Sequence, residues 1–484
     1  MHTFQVVETF TAAPVTLVSG ISDLELVMHG GELRLYTATR AGGGVLALEI
    51  DGPMSVVDQE LTAAGTTLPA PARLSVISAN GAAHLVVTGG NTGGVQAHAL
   101  SAGGALTGAL QLPGSLTGTL SAQAVLQVGG QTYFYAARMG ESAIHAYAVG
   151  SNGAMTLVGT RVIDAPRSGV DIPSLTTVRV GGADYLVSLS LNGDSVRAFP
   201  VGPGGALGTP QVMGMSQGLG IANPSAVEVV QTGGVTYLVV ASSGSSSISV
   251  IEVAPGGVMR VADHVIDTLD TRFQSTQALA SVTLDDRVFI ITGGRDGGLA
   301  LMTLMPDGRL VLVGSQLQLP GLTLTNITAI TAHVTSAGKI EVFVAGEGTG
   351  ITRLTVDPGP QSPLQTGGDE AATLTGTAGG DMIIGGDADE QINGGAGGDI
   401  LADGGGSDTL SGGAGADMFV LTADGAADVI TDFQLGTDRV DLTAWGTIHS
   451  LQALTIIATA NGARITYNAE VLDLFSANGQ PIQP

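Results

Sequence analysis

Cysteine, lysine and aromatic residues are scarce in this chain of 484 residues. Cysteine is absent, lysine occurs once, as Lys339, and aromatic residues make up 4%. Without cysteine, disulfides, thiol catalysis and cysteine-ligated metal sites are excluded. The chain also has no apolar run of about 18 residues, so we expect no transmembrane segment. Residues 1–19 lack the basic and apolar regions of a signal peptide.

Positive charge is scarce as well, whereas glycine is abundant. The chain has 17 basic and 42 acidic residues, a formal net charge of −25, and 74 glycines. Such a surface disfavours nucleic acid as a partner and favours divalent cations. The imbalance is greatest in residues 365–484, which contain 17 acidic residues and two arginines. Glycine without a three-residue period excludes collagen, and 44% hydrophobic residues indicate a folded chain.

A unit of about 50 residues recurs seven times between residues 21 and 357. Each copy has an apolar run, a glycine-rich break and a second apolar run, as in LYTATRAGGGVLALEI (35–50). The second runs begin at Val45, Val95, Ile144, Val196, Ile248, Leu299 and Ile351. Four short antiparallel strands per unit, without helical periodicity, predict an all-β seven-bladed β-propeller. A solenoid of stacked turns is the alternative, although its period is usually shorter.

The seventh unit has sequence for three strands, because the chain beyond Val356 continues as DPGPQSPLQTGGDE. Proline and glycine at this density interrupt a strand ladder. Residues 3–10 resemble the fourth strand of the other units. We therefore predict that they complete the seventh blade and close the ring.

Two sets of loops are expected to open on one face of the propeller, where they surround the central channel. They are the loops into the innermost strands and those between the second and third strands. Their candidate ligand-binding residues are Arg40, Arg73, Asn91, Arg138, Asp171, Asn192, Asn223, Arg295, Asn326 and Glu347. Together they predict a mouth for a carboxylate, a sugar or a phosphate. Ordinary solvated turns are the alternative.

The order of strands and turns, with DIPS (171–174) and NPS (223–225), resembles the lactonase-type seven-bladed family. That family includes 6-phosphogluconolactonases and muconate-lactonising enzymes. The resemblance covers about 350 residues. It implies a channel-face site that typically uses His, Glu and Arg.

Five nonapeptides follow one another from residue 376 to residue 420. They are GTAGGDMII, GGDADEQIN, GGAGGDILA, DGGGSDTLS and GGAGADMFV. The sixth position holds Asp381, Glu390, Asp399, Asp408 and Asp417, and the first and fourth positions include Gly376, Gly379, Gly385, Gly394, Gly397, Gly406, Gly412 and Gly415. Glycine permits turns that direct backbone carbonyls inward, and the acid completes an oxygen cage for a hard cation.

These nonapeptides match GGxGxDxUx and resemble the RTX, or haemolysin-type, calcium-binding repeat. The resemblance implies a parallel β-roll in which repeats n and n+2 share each Ca²⁺. One edge would use Asp381, Asp399 and Asp417, and the other Glu390 and Asp408. We expect the second edge to be weaker, because Ala388 replaces a glycine there. Without metal, carboxylate repulsion is expected to unfold the segment.

Residues 416–446 resemble the segment that caps the roll in serralysin-type and other type I secreted proteins. Within it, Asp432, Asp438 and Asp441 are expected to bind a further ion or to cap the roll. By the same resemblance, the last residues carry an uncleaved secretion signal. A serralysin protease also needs an HExxH zinc helix, which this sequence lacks.

The sequence thus predicts a propeller at 1–358, a linker at 359–373, a calcium-binding roll at 374–420 and a cap with secretion signal at 421–484. We expect a secreted, extracellular or surface-associated protein, exported by type I secretion machinery and folded by calcium. Its propeller would bind a cell-surface glycan, a small molecule or a protein. Two other roles stay open, an extracellular lactonase-like or glycan-active hydrolase or lyase and a surface-layer component that forms homo-oligomers.

Overall fold

Seven four-stranded antiparallel sheets form the N-terminal part of the computed structural model, between residues 4 and 356. The structure describes residues 2–40, 44–61, 70–79, 81–88, 96–111, 116, 118–164, 169–446, 448 and 450–483. Asn91 and Val95 of the second repeat lie outside these residues. The predicted all-β class and seven-bladed propeller are confirmed.

Each blade contains four strands, numbered along the chain. They are β1 (Phe4–Phe10) in blade seven; β2 (Ile21–His29), β3 (Glu32–Thr39), β4 (Gly44–Glu49) and β5 (Ser55–Leu61) in blade one; β6 (Leu74–Ala79), β7 (Ala82–Val87), β8 (Gln96–Leu100) and β9 (Leu106–Gln111) in blade two; β10 (Leu120–Val128), β11 (Gln131–Arg138), β12 (Ala143–Val149) and β13 (Met155–Val162) in blade three; β14 (Leu175–Val180), β15 (Ala183–Ser190), β16 (Ser195–Pro200) and β17 (Gln211–Met213) in blade four; β18 (Pro224–Thr232), β19 (Val235–Ser242), β20 (Ser247–Ala254) and β21 (Val258–Ile266) in blade five; β22 (Ala278–Leu284), β23 (Arg287–Gly293), β24 (Gly298–Leu304) and β25 (Leu310–Leu317) in blade six; and β26 (Ala329–Val334), β27 (Ile340–Ala345) and β28 (Ile351–Val356) in blade seven.

Helical structure is limited to a few turns in the described residues. These are α1 (Val15–Val18) and 3₁₀ turns at Pro203–Gly205, Met215–Gln217, Thr443–Trp445 and Leu451–Ala453. Across the described ranges, no helix is long and apolar enough to cross a membrane.

The middle strands of each blade are buried on both faces, because neighbouring blades pack face to face. In blade five, nearly every residue of β19 is buried, whereas every residue of the outermost strand β21 is exposed or half-buried. This difference explains why the sequence shows long apolar runs at the second and third strands.

Hydrogen bonds from tyrosines connect each of three blades to a turn in the next. Tyr36 donates to the Gly104 carbonyl at 2.6 Å, Tyr135 to the Gly205 carbonyl at 3.0 Å, and Tyr237 to the Pro306 carbonyl at 2.7 Å. The turn after Pro306 needs Gly308, which has a φ of +93°, and a Cβ there would lie 2.9 Å from the Tyr237 ring. The glycine-rich turns of the repeat therefore admit an aromatic ring from the preceding blade.

Strand β1 is the fourth strand of blade seven and closes the ring. It pairs antiparallel with β28, with Phe4 opposite Val356 and Phe10 opposite Ile351. The first and last strands of the propeller are thus hydrogen-bonded to each other, which covers two sheet edges.

Two sheets face each other after the propeller. Their roll strands run parallel, and the last three strands of the second sheet pair antiparallel. The first sheet contains β29 (Gln365–Thr366), β31 (Met382–Ile384), β33 (Ile400–Ala402), β35 (Met418–Val420) and β37 (Arg439–Asp441). The second contains β30 (Thr373–Thr375), β32 (Gln391–Ala396), β34 (Thr409–Ala414) and β36 (Ala427–Phe433), followed by β40 (Glu470–Ser476), β39 (Gly462–Tyr467) and β38 (Thr455–Thr459). Successive repeats alternate between the two sheets, and repeats n and n+2 are adjacent, as predicted.

Part of the segment predicted as a linker, 359–373, pairs with the roll. Gln365–Thr366 pairs with β31, and Gln361 forms a parallel bridge to Gly380. The polar chain before the first nonapeptide is extended, so it can cover the edge of the first roll sheet.

The first roll sheet packs against blades six and seven of the propeller. Met382, Ile400 and Met418 of the roll lie in one apolar cluster with Ile340 and Val356 of blade seven. The roll and the propeller therefore share a core.

Candidate functional site

The acids at the sixth repeat position form two columns along the roll. In the first column, the Asp381 amide donates to Asp399 Oδ1 at 2.8 Å, and the Asp399 amide donates to Asp417 Oδ1 at 2.9 Å. In the second, the Glu390 amide donates to Asp408 Oδ1 at 2.6 Å. Each bond spans 18 residues, or two nonapeptides. This spacing brings the predicted acids of each edge together.

One oxygen of each column acid has no hydrogen-bond partner among the described residues. These oxygens are Asp381 Oδ1, Glu390 Oε1, Asp399 Oδ2, Asp408 Oδ2 and Asp417 Oδ2. All five side chains are at most 2% exposed. A buried carboxylate without a partner is costly, so each of these oxygens requires a cation or a proton. The donor set fits calcium, which binds through oxygen.

The glycines at the first repeat position leave the space around these oxygens open. A Cβ on Gly394 would collide with Asp399 Oδ2 and would lie 2.8 Å from the Gly412 carbonyl oxygen. A Cβ on Gly412 would likewise collide with Asp417 Oδ2, whereas one on Gly376 would lie 2.8 Å from Asp381 Oδ2, which already accepts from the Thr377 amide. Carboxylate and carbonyl oxygens thus converge where a side chain would otherwise lie. Gly412 and Gly385 occupy the equivalent position in their own repeats.

The glycines at the fourth position are required by the backbone. Gly397, Gly406 and Gly415 have φ values of +123°, +105° and +142°, which L-residues rarely adopt. Gly379 has no such φ, but a Cβ there would lie 2.7 Å from the Pro360 carbonyl. The local structure therefore explains why glycine occupies both the first and the fourth position of the motif.

Backbone carbonyls must supply part of each cage. Within the described residues, no group of three or more His, Asp or Glu side chains converges to hold a metal. Each cage would therefore combine column carboxylates with carbonyls such as that of Gly412. Calcium accepts this combination, since it takes six to eight oxygen ligands in flexible geometry.

The second column departs from the first at its first and fourth positions. Ala388 stands in place of a glycine, and the longer Glu390 replaces an aspartate. Glu390 Oε2 still accepts from the Gly386 amide at 2.8 Å, as Asp381 Oδ2 does from the Thr377 amide. Asp403, at a first position, accepts from the Thr422 amide at 2.9 Å and does not extend the column. That the second edge binds calcium more weakly stays a prediction.

Both columns continue into the cap through residues at irregular spacing. Asp438 Oδ1 accepts from the Asp417 amide at 3.1 Å, and Asp428 Oδ1 accepts from the Asp408 amide at 3.0 Å. Asp438 was among the predicted residues, whereas Asp428 was not. Its spacing of 20 residues from Asp408 breaks the 18-residue rule.

The other two predicted cap residues have different surroundings. Asp432 accepts from the Ser411 hydroxyl at 2.7 Å and from the Gly412 and Gly413 amides at 2.9 Å. These bonds favour capping of the roll over metal binding. Asp441 accepts from the Thr443 amide at 2.8 Å and lies outside both columns.

Burial makes three of the column acids, Asp399, Asp408 and Asp417, reluctant to ionise without a cation. Desolvation, with smaller contributions from neighbouring carboxylates, raises the pKa of Asp399 and Asp408 to about 7. The pKa of Asp417 rises to about 6 for the same reasons. A divalent cation in the cages would remove this repulsion and favour the ionised form.

One propeller arginine reaches the roll beside the first column. Arg287, at the start of β23, donates to the Gly380 carbonyl at 3.2 Å and is 5% exposed. Desolvation lowers its pKa to about 10, while Asp381 and Asp399 act in the opposite direction. This contact could not be predicted from the sequence, because Arg287 and Gly380 lie 93 positions apart.

Five of the predicted mouth residues line one pocket of the propeller, which we call the mouth pocket. Its volume is about 610 Å³. The five residues are Arg40, Arg73, Asn223, Asn326 and Glu347. Gln277 and Ser225 add further polar groups, and Gln277 Nε2 donates to Asn326 Oδ1 at 3.4 Å. The pocket therefore offers guanidinium, amide and hydroxyl groups to a polar ligand.

Asp171 and Asn192, also predicted at the mouth, are not in this pocket. Asp171 is fully buried. Its carboxylate accepts hydrogen bonds from the Ser142 hydroxyl and, at 2.9 Å, from the backbone amide of Asn192. It joins blades three and four and is unavailable to a ligand.

Arg138 and Arg295 lie on the same face, outside the residues that line the pocket. Arg138 donates to the Tyr147 hydroxyl at 2.9 Å and pairs with Glu141 at 3.6 Å. Arg295 donates to Asn326 Oδ1 at 3.2 Å and so adjoins the pocket rim.

Comparison with protein families identifies the repeats of the roll. Residues 366–401 and 393–425 match the model of the RTX calcium-binding nonapeptide repeat, HemolysinCabind, in four copies. Such repeats bind several Ca²⁺ ions in a β-roll and are typical of extracellular proteins secreted by type I systems. No curated protein matches the sequence significantly.

Among solved structures, the chain is similar to several propellers. A periplasmic gluconolactonase from Pseudomonas aeruginosa has 16% identity and a TM-score of 0.45, over 61% of this chain and 85% of that one. A candidate 6-phosphogluconolactonase from Bacteroides uniformis has 16% identity and a TM-score of 0.46, over the same shares. A functionally unknown protein from Desulfotomaculum acetoxidans has 14% identity and a TM-score of 0.43, over 65% of this chain and 93% of that one.

Proposed function

We propose that this protein is a secreted, calcium-dependent binding protein whose propeller holds a small polar ligand at its channel mouth. The observation that carries the proposal is the pair of columns in the roll, where five buried carboxylate oxygens have no partner among the described residues. Calcium bound there would make folding depend on the calcium concentration around the chain.

Export as an unfolded chain is consistent with this dependence. Where calcium is scarce, as in the cytoplasm, the column carboxylates repel each other and the roll stays unfolded. The chain can then pass through type I machinery. Calcium outside the cell then folds it. Since the chain has no cysteine, this folding requires no disulfide formation.

Export is tested by expressing the full chain in a Gram-negative host with and without an active type I transporter. We expect the protein in the medium only with the transporter. Mass spectrometry should show an uncleaved chain, because the secretion signal is retained. Export without the transporter, or a chain shortened by signal cleavage, would contradict the proposal.

The mouth pocket supplies the binding function. Arg40 and Arg73 offer positive charge, and Asn223 and Asn326 offer amides that both donate and accept. An acidic sugar satisfies both sets, because its carboxylate pairs with guanidinium and its hydroxyls bond to amides.

Binding is tested by calorimetry with D-galacturonate and D-glucose on the calcium-loaded protein. We expect both to bind and galacturonate to bind more tightly. Arg40→Gln should weaken galacturonate about tenfold, because a charge-assisted bond is lost. The control is Arg260→Gln on the outer strand β21, where Arg260 pairs with Glu252. If neither sugar binds, the mouth is not a site of this kind.

A further inference from the structure

A second cavity lies in the channel beneath the mouth pocket. Its volume is about 280 Å³, and it shares Arg73, Ser225 and Gln277 with the pocket above. The innermost strands β2 and β18 contribute Glu25 and Glu228 to its wall. A ligand seated in the mouth could therefore extend one group into the channel.

An unsatisfied amide faces this cavity. Gln123 of β10 lines it and is 8% exposed, and neither its Oε1 nor its Nε2 has a hydrogen-bond partner among the described residues. Leaving both ends of a buried amide unpaired costs free energy. A polar ligand in the cavity would supply the missing partner.

The cavity is acidic. Asp23, Glu25 and Glu228 line it, against Arg73, whose Nη1 lies 4.0 Å from Asp23. Burial, then the charges of Asp23 and Glu228, raises the pKa of Glu25 to about 8. Burial likewise raises the pKa of Glu228 to about 7, although the Ser281 hydroxyl donates to it at 3.0 Å. Positive charge in the cavity would relieve the repulsion.

A metal ion is a poor fit for this charge. A divalent cation takes six or more oxygen ligands, whereas an ammonium group is satisfied by three acceptors. The acceptors lie on different blades around the channel. A primary ammonium group fits better, since it has three donors that point in different directions and carries one positive charge.

We propose that the channel cavity binds the primary ammonium group of a hydroxylated ligand, with Glu25, Glu228 and Gln123 as acceptors. The hydroxyls of the ligand lie in the mouth pocket, so the ligand class is an amino sugar or a similar amino polyol. This inference rests on the proposed binding function of the mouth.

The test is calorimetry of the full calcium-loaded chain with D-glucosamine and D-glucose, which differ at one position. We expect glucosamine to bind at least about tenfold more tightly. In the Glu25→Gln/Glu228→Gln variant, the two sugars should bind equally. Its melting temperature should not fall, because the substitution removes buried repulsion. The control is Glu49→Gln, an exposed position on β4 of blade one, which should keep the preference.

Gln123→Leu provides a second variant of similar volume and should weaken glucosamine binding. Equal binding of glucose and glucosamine to the wild type would overturn the inference and leave the proposed function intact. A preference that survives the double substitution would also overturn it. If neither glucose nor galacturonate binds, the proposed function itself fails.

Discussion

Chelation of calcium is expected to unfold the roll and to loosen blades six and seven of the propeller. Without a cation, the column acids repel each other in a buried environment, which should open the sheets built on them. Opening removes Met382, Ile400 and Met418 from the cluster that they share with the propeller. Arg287 also loses its Gly380 acceptor.

Hydrogen–deuterium exchange on the full chain measures this effect by region. In chelator, amides of the roll between residues 365 and 441 should exchange as in an unfolded chain. Amides of β22–β28 should exchange roughly 10- to 100-fold faster, since a lost hydrogen bond to a charged group contributes about 1.5–3 kcal/mol. Blades three and four, which lie outside that cluster, serve as the internal control and should change little. Protected roll amides in chelator would contradict the expectation.

Asp399→Asn is expected to weaken calcium binding more than any other single column substitution. Asp399 lies in the middle of the first column, where it accepts from Asp381 and donates to Asp417. Its free Oδ2 borders the space next to Gly394 and the Gly412 carbonyl. One substitution should therefore affect two neighbouring cages.

Calcium calorimetry and native mass spectrometry measure the result. We expect Asp399→Asn to lose at least one bound ion and about tenfold in affinity. Asp381→Asn, at the end of the column, should affect one cage. Gly394→Ala should mimic Asp399→Asn, because the added Cβ fills the cage. Exposed Asp369→Asn is the control. Equal calcium binding by Asp399→Asn and the control would exclude the column as a ligand set.

The propeller and the two columns could be predicted because both follow from regular spacing. Apolar runs about 50 residues apart predict blades, and the resemblance of the nine-residue motif to RTX repeats implies columns with an 18-residue repeat. Asp428 was missed because it follows Asp408 by 20 residues, after the repeat has ended. Regular spacing therefore predicts the repeated parts and loses accuracy where the repeat stops.

The features that could not be predicted depend on contacts between residues that are far apart in the sequence. The position of Asp171 in its repeat predicts a mouth residue. Its carboxylate is instead buried and accepts a hydrogen bond from Ser142 of the preceding blade. In the sequence, Glu25 and Glu228 are polar residues of strands in which polar and apolar residues alternate. Closure of the ring places both on the wall of one channel. The contact of Arg287 with the roll likewise depends on how the two parts dock.

The central claim is that calcium lies between successive acids of each column. X-ray diffraction from calcium-loaded crystals, with anomalous scattering from the ion, tests it most directly. We predict peaks between Asp381 and Asp399, between Asp399 and Asp417, and, with lower occupancy, between Glu390 and Asp408. A well-ordered roll without peaks at these positions would contradict the claim.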